Sequence, residues 1–285
     1  MIKEITRKTF TIRDSGRSTD YIAPSFGFGC LLDCSYCYMK RHTNDKVLKY
    51  AKNINEILTA VNNHVTWLPE KVPNQTDAVY HTYDIACNED FALHSRYYDW
   101  KKIFDFFKTH DRAKASFATK IIPNNMLEYN PEGKIRIRFS LMPQWMSSEL
   151  EPNTPKIIDR IKAIDKFIDA GYDVHVNFSP IIVTENWISY YEELFKMLDD
   201  NVKEKSKVFA ECIFLTHNEK KHLDNLEANR GGERLLWQPD FQEDKTSQYG
   251  GKNVRYKRHL KSRYIDEFKS LHEKLIPWNK IRYIF

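Results

Sequence analysis

Long hydrophobic runs are missing from this sequence: no stretch approaches the roughly 20 apolar residues that a membrane-spanning helix needs, so a membrane protein is not expected. The opening MIKEITRKTF is not followed by the apolar run and small-residue cleavage pattern of a secretion signal, which makes the cytoplasm the expected location. A disulfide framework is also absent. The cysteines number 5, an odd count, and three of them crowd into positions 30–37; in a compartment that keeps thiols reduced, metal binding is the natural use of such a cluster. Internal repeats and low-complexity segments are not found either.

What is present is an alternation of short β-rich runs with amphipathic helical runs, the pattern of βαβ units around a parallel sheet. Six units are counted. The first strand is expected near Pro24–Gly29, leading into the cysteine loop, followed by a helix carrying Ile54, Ile57, Leu58, Val61 and Val65 on one face. Further strands are expected over 79–86, 115–120, 134–141, 172–183 and 208–216. The run KIRIRFSL alternates cleanly. The best helix is expected to be capped by Asn153 or Thr154 with Pro155 in its first turn, and to stop at Gly171. Such a chain suits an α/β fold, either an open doubly wound sheet or a partial barrel, and both place chemistry at the carboxyl ends of the strands. Residues 1–230 are expected to form the core, with 231–285 a C-terminal extension packing on it.

The segment GFGCLLDCSYCYMKRH spaces Cys30, Cys34 and Cys37 as C-x3-C-x2-C directly after a strand. Three thiolates on a 4Fe-4S cluster leave one iron without a protein ligand, open to a small molecule. The alternatives are a zinc site with His42 as fourth ligand, or structural thiols holding no metal. Common zinc patterns need a second ligand pair, for which this chain offers only the isolated Cys87 and Cys212. Cys212, mid-strand in FAECIFL, reads as core, and His81 and His175 read as structural.

With Tyr36 in the aromatic slot of C-x3-C-x-aromatic-C, the sequence resembles the radical S-adenosylmethionine superfamily, and more narrowly the spore photoproduct lyase family, which reverses a thymine lesion in DNA. The similarity is carried in order by PSFGFGC, CSYCY, DIACNED, FATK, RFSL, NFSPI and FLTH. It implies a partial (β/α)6 TIM-like barrel, a 4Fe-4S cluster held by Cys30, Cys34 and Cys37, and S-adenosylmethionine as cofactor. It further implies Tyr36 against the adenine, Lys120, Ser140 and Ser179 at cofactor-contacting strand ends, and Glu89 as a carboxylate for the methionine ammonium. Cys87 and Tyr38 would pass a hydrogen atom to the product radical. An external one-electron reductant of flavodoxin or ferredoxin type is implied as partner.

Several features depart from the lyase pattern. The chain begins closer to its cluster loop, the loop between cluster and Cys87 is longer, and Asn88-Glu89 replaces a threonine-serine pair. From Lys252 to Arg282 lysine and arginine face only Asp266, Glu267 and Glu273, so this segment is expected either to meet nucleic acid or to be a solvated helical face. Two other functions stay open at this point: the same radical machinery acting on an RNA base, peptide or metabolite, and a non-catalytic nucleic-acid binder with a structural metal.

Overall fold

The computed structural model describes residues 2–37, 47–246 and 251–285. The strands in chain order are β1 (Ile2–Ile5), β2 (Arg13–Asp14), β3 (Tyr21–Ile22), β4 (Gly27–Phe28), β5 (Leu48–Ala51), β6 (His81–Asp84) and β7 (Ala113–Thr119). They continue with β8 (Ile135–Leu141), β9 (Asp173–Ile181), β10 (Phe209–Phe214), β11 (Thr216–Asn218), β12 (Gln242–Thr246), β13 (Lys252–Tyr256) and β14 (Ile281–Ile284). The helices are α1 (Ile54–Thr66), α2 (Phe91–His94), α3 (Trp100–Thr109), α4 (Gln144–Leu150) and α5 (Ile157–Asp169), then α6 (Trp187–Asn201), α7 (Glu219–Glu227), α8 (Glu233–Leu236) and α9 (Arg258–Leu275). Among the described residues, no helix is long and apolar enough to cross a membrane.

Eight strands form the main sheet in the order β14-β10-β9-β8-β7-β6-β3-β2. Every neighbouring pair is parallel except β2–β3 at one edge. Parallel neighbours need crossover connections, and amphipathic helices supply them except between β7 and β8, where the weak helix expected there is only a 3-10 turn at Asn124–Met126. On β8 the side chains alternate across the sheet. Ile135, Ile137, Phe139 and Leu141 join the apolar core that includes Ile157, Ile161, Ile164 and Phe167 of α5. Arg136, Arg138 and Ser140 take the opposite, polar face. The expected alternation of KIRIRFSL is therefore real, and the arginines line the concave side.

The sheet is curled into a half-barrel, and Arg138 shows it directly. Strands two places apart in a flat sheet lie about 10 Å from each other. Yet Arg138 on β8 reaches Asp84 of β6 at 2.6 Å on one side and Glu211 of β10 at 3.2 Å on the other. At the lower end of the same concavity Arg136 pairs with Asp173 at 2.7 Å and Asp77 at 3.0 Å, and Lys114 joins both carboxylates. Burying so many charges is tolerable only because each has an opposite partner.

Two expectations need correcting. The first place in the main sheet belongs to Tyr21–Ile22, which pairs with β6, whereas Gly27–Phe28 pairs antiparallel with β5 in a separate three-stranded sheet with β1. The chain leaves the main sheet before it reaches the cysteines. The best helix begins later than expected, with Lys156 at its cap position, because α4 intervenes; the side chain of Gln144 accepts from the Ile157 N–H at 2.8 Å and does the capping. Its end is as expected, at Gly171 with φ +90°. The C-terminal segment packs on this core: β14 lies against β10 at the edge of the main sheet, while β12 and β13 form a third sheet with β11.

Candidate active site

The cysteine loop leaves β4 through Gly29, whose φ of +88° is a backbone state that favours glycine. Its N–H donates to Asn88 O at 3.0 Å, and Gly29 forms a parallel bridge with Glu89, so the loop starts alongside the segment after β6. Gly27 donates its N–H to Glu89 Oε1 at 2.7 Å, and a Cβ at Gly27 would collide with that carboxylate. Farther on, Cys34 is buried, Ser35 donates its N–H to Leu150 O at 2.9 Å, and Cys37 closes a turn onto Cys34 O at 3.2 Å. From the C-terminal half, Arg230 donates to Asp33 O and Oδ2, and the Asn225 amide donates to Ser35 O at 2.9 Å. The loop is thus held from three sides.

The three thiols influence one another and share Lys120 as a neighbouring charge. Burial, followed by the nearby Asp90 carboxylate, pushes the Cys30 thiol up to about 12, and burial likewise raises Cys34. Binding iron here must release those protons. Burial works against the charge on Lys120, but Cys34, Glu151, Cys37 and Asp90 outweigh it and hold its pKa above the ordinary lysine value. A donor set of thiols beside a fixed cation suits an iron–sulfur cluster, since the soft sulfur ligands match iron and the cation balances their charge.

Tyr36 sits between a buried carboxylate and a half-buried ammonium. Its hydroxyl donates to Glu151 Oε1, and the Lys120 ammonium lies 5.5 Å from its ring centroid, within cation–π range. Glu151 is anchored in turn: Arg160, fully buried, pairs with it at 2.7 Å and donates to Ser140 O at 2.9 Å, while Ser147 Oγ donates to it at 3.0 Å. Asp90 accepts from the Lys120 N–H at 3.0 Å and from Thr119 Oγ1 at 2.7 Å, fixing the end of β7 to the segment after β6.

The remaining expected residues fall at the carboxyl ends of successive parallel strands. Cys87 and Glu89 follow β6, Lys120 follows β7, Ser140 lies near the end of β8 and Ser179 on the last turn of β9. Ser140 is in register with Asn177, so Ser179 lies two residues farther along the same face. Cys87 Sγ accepts from Arg13 Nη2 at 3.5 Å. Glu89 is fully buried, with Tyr98 Oη at 3.3 Å and His94 Nδ1 at 3.2 Å besides Gly27 N. Burial pushes its carboxyl up to about 8 and pulls His94 down. Tyr38 and His42 lie outside the described residues.

Asp90, Glu151, Arg160 and Asn225 carry no sequence signal that marks them as site residues. Asp90 stood inside the quoted DIACNED, but a solvated carboxylate looks the same. Glu151 and Arg160 act at a distance of 9 residues and Asn225 at 190, separations that only the folded chain closes. The structural histidines read as expected: His81 Nε2 lies 3.1 Å from Pro69 O and His175 Nε2 lies 2.9 Å from Asp173. Cys212 is fully buried. The basic C-terminal segment is not one uniform surface. Arg282 is buried against Glu211 inside the barrel, Arg255 pairs with Glu243 at 2.9 Å, and Lys252 pairs with Glu219. Arg17, Lys245 and Lys261 gather instead around the ring of Phe285.

Comparison with known proteins gives the family. The family model described as spore photoproduct lyase matches residues 4–285. The spore photoproduct lyase of Bacillus subtilis (strain 168) is 29% identical over 196 residues, covering 68% of this chain and 55% of that protein. That of Geobacillus sp. (strain Y412MC61) is 27% identical over 195 residues, covering 67% and 54%. The chain spans about half the length of these curated relatives. Among solved structures, a spore photoproduct lyase complexed with dinucleoside spore photoproduct superposes with a TM-score of 0.87 at 22% identity, over 100% of this chain and 82% of the other. A mutant lyase with bound AdoMet and the same dinucleoside gives a TM-score of 0.86 at 21% identity, over 100% and 82%. The likeness to these structures establishes the shared fold, and the match over nearly the whole sequence establishes the lineage: the chain belongs to the spore photoproduct lyase family.

Proposed function

We propose that this chain is a radical S-adenosylmethionine enzyme that repairs a thymine photoproduct, built on a partial (β/α)6 barrel over residues 1–230 with 231–285 as a covering extension. The observation that carries the proposal is the gathering of three thiols, Tyr36 and Lys120 by the carboxyl ends of β6 to β8. Cys30, Cys34 and Cys37 would hold a 4Fe-4S cluster and leave one iron open for S-adenosylmethionine. When bound, this pair supplies a 5'-deoxyadenosyl radical for hydrogen abstraction, given one electron from a reductant of flavodoxin or ferredoxin type. A cytoplasmic setting, where thiols stay reduced, suits such a site.

The chain's own residues orient and exclude. Tyr36, held by Glu151, presents a fixed ring to the adenine, and Lys120, Ser140 and Ser179 offer polar contacts from three neighbouring strand ends. Glu89 would contribute its carboxylate to the methionine end of the site while tying the loop to β6 through Gly27. Cys87 would hand a hydrogen atom to the product radical, with Tyr38 next in the relay. The thymine lesion would be flipped out of DNA into the site, and Arg17, Lys245 and Lys261 would meet phosphates of the same strand.

The test is anaerobic reconstitution with iron and sulfide, then reduction with dithionite in the presence of S-adenosylmethionine and dinucleoside spore photoproduct. Formation of 5'-deoxyadenosine and of thymine is expected. Cofactor cleavage without thymine would move the substrate to another class, and no cleavage at all would defeat the proposal.

A further inference from the structure

A second group of metal-ligating side chains lies away from the three cysteines, where β11, α7 and α8 meet. His217 Nε2 and His222 Nδ1 lie 2.9 Å and 2.6 Å from the same oxygen, Glu233 Oε1. The three ligand atoms all lie within 4.8 Å of one another. The other carboxylate oxygen is held by the Asn225 amide. His217 and Glu233 are buried, and His222 is stacked on Trp237 with ring centroids 4.1 Å apart and planes at 10°. As hydrogen bonding alone, the arrangement is wasteful: two imidazoles compete for one oxygen while His217 Nδ1, also buried, has no partner.

We propose that His217, His222 and Glu233 form a binding site for a divalent transition metal, best matched to zinc. Two imidazole nitrogens and one carboxylate oxygen are a donor set that zinc takes with three protein ligands and a fourth position open to water. Asn225 is the outer partner that fixes the ligating carboxylate, as such sites require. Bonds of about 2.0–2.1 Å in a tetrahedral arrangement set the ligand atoms ~3.4 Å apart, so the two short contacts must each open by several tenths of an ångström. His222 is the half-buried member and has room to move. The ion would displace the protons that both imidazoles share with Glu233. His217 would then carry its proton on Nδ1, which has no acceptor; a missing outer partner of this kind lowers affinity about 10–100-fold, so moderate binding is expected.

The site joins β11, α7 and α8, and α7 with the turn after it also grips the cysteine loop. Asn225 donates both to Glu233 and to Ser35 O, and Arg230, between α7 and α8, holds Asp33. A bound ion would pin this layer against the loop, whatever chemistry the loop performs.

Cobalt(II) titration of metal-free protein separates the two sites, because thiolate ligands give intense charge-transfer absorption and nitrogen–oxygen ligands give only ligand-field bands. In the Cys30→Ala/Cys34→Ala/Cys37→Ala variant, ligand-field bands saturating at one equivalent and displaced by zinc are expected. Adding His222→Gln should weaken that binding at least tenfold and abolish the rise in melting temperature that zinc confers. The melting temperature without metal reports whether that variant remains folded; His217→Gln in the same background is the second variant. Absence of bands up to millimolar cobalt, or bands unchanged by both histidine substitutions, overturns the proposal. Because the cysteines are removed, its failure is independent of the radical chemistry.

Discussion

Ser18 Oγ lies 2.7 Å from Tyr283 Oη, so the turn between β2 and β3 touches the last strand of the chain and the two edges of the curled sheet meet there. Glu211 stands behind this contact. It accepts from Ser18 at 2.9 Å and pairs with Arg138 and Arg282, all inside the barrel.

Glu211→Gln is therefore expected to destabilise the fold by about 3–5 kcal/mol, the cost of leaving the buried Arg282 guanidinium without its counter-charge. Burial alone would raise the Glu211 carboxyl, but Arg138 and Arg282 override it and hold it at about 2. A carboxyl whose folded pKa is depressed stabilises the protein above its unfolded pKa, and that stability is lost as pH falls toward the folded value. Urea unfolding between pH 5 and about 2 should show this loss in the parent and a flatter profile in Glu211→Gln; parallel profiles would count against it.

Gly27→Ala should cost about 1–3 kcal/mol, as overpacking does, because the new methyl group meets the Glu89 carboxylate. The strain falls on the strand that launches the cysteine loop, so iron content after reconstitution should fall with stability. The double substitution Gly27→Ala/Glu89→Ala removes the collision and should recover part of the stability. An equal loss in the single and double variants would show that the two residues do not press on one another.

Tyr36→Phe keeps the ring and removes its hydrogen bond to Glu151, an expected loss of about 2 kcal/mol for a bond to a charged acceptor. Iron loading should survive, while the Michaelis constant for S-adenosylmethionine should rise as the ring loses its fixed orientation. Steady-state assay of 5'-deoxyadenosine formation checks this. An unchanged constant would mean that Glu151 does not orient the ring for the cofactor.

Cys87→Ala should leave 5'-deoxyadenosine formation intact and change the products made from dinucleoside spore photoproduct. The segment bearing Cys87 runs beside the cysteine loop through the Gly29–Glu89 bridge. Product analysis by mass spectrometry decides; a product profile identical to that of the parent removes its hydrogen-donor role.

Much of this architecture was legible because it rests on local periodicity. The alternation in KIRIRFSL marked which side chains share a face, and the apolar spacing from Ile157 to Ile168 marked a helix against the sheet. The position of the first strand was not legible, since two residues, Tyr21 and Ile22, suffice to hold it and carry no period. The cysteine spacing pointed to a metal because three thiols in one loop have few other uses. The partners that orient the site were hidden for a different reason: Glu151, Arg160 and Asn225 are polar residues on helices or at their ends, indistinguishable in sequence from solvated ones until tertiary contacts bury them. For the same reason Arg282 looked like part of a basic tail, yet its guanidinium is buried inside the barrel.

The charged lining of the barrel also bears on how the chain finds its pairing. Sliding β8 by a single residue would drive Arg136 and Arg138 beneath α5 and turn Ile137 and Phe139 toward Asp84 and Glu211. Each misaligned intermediate would strand ions in a greasy layer, so the electrostatic lining acts as a proofreading device that rejects wrong alignments while the sheet assembles.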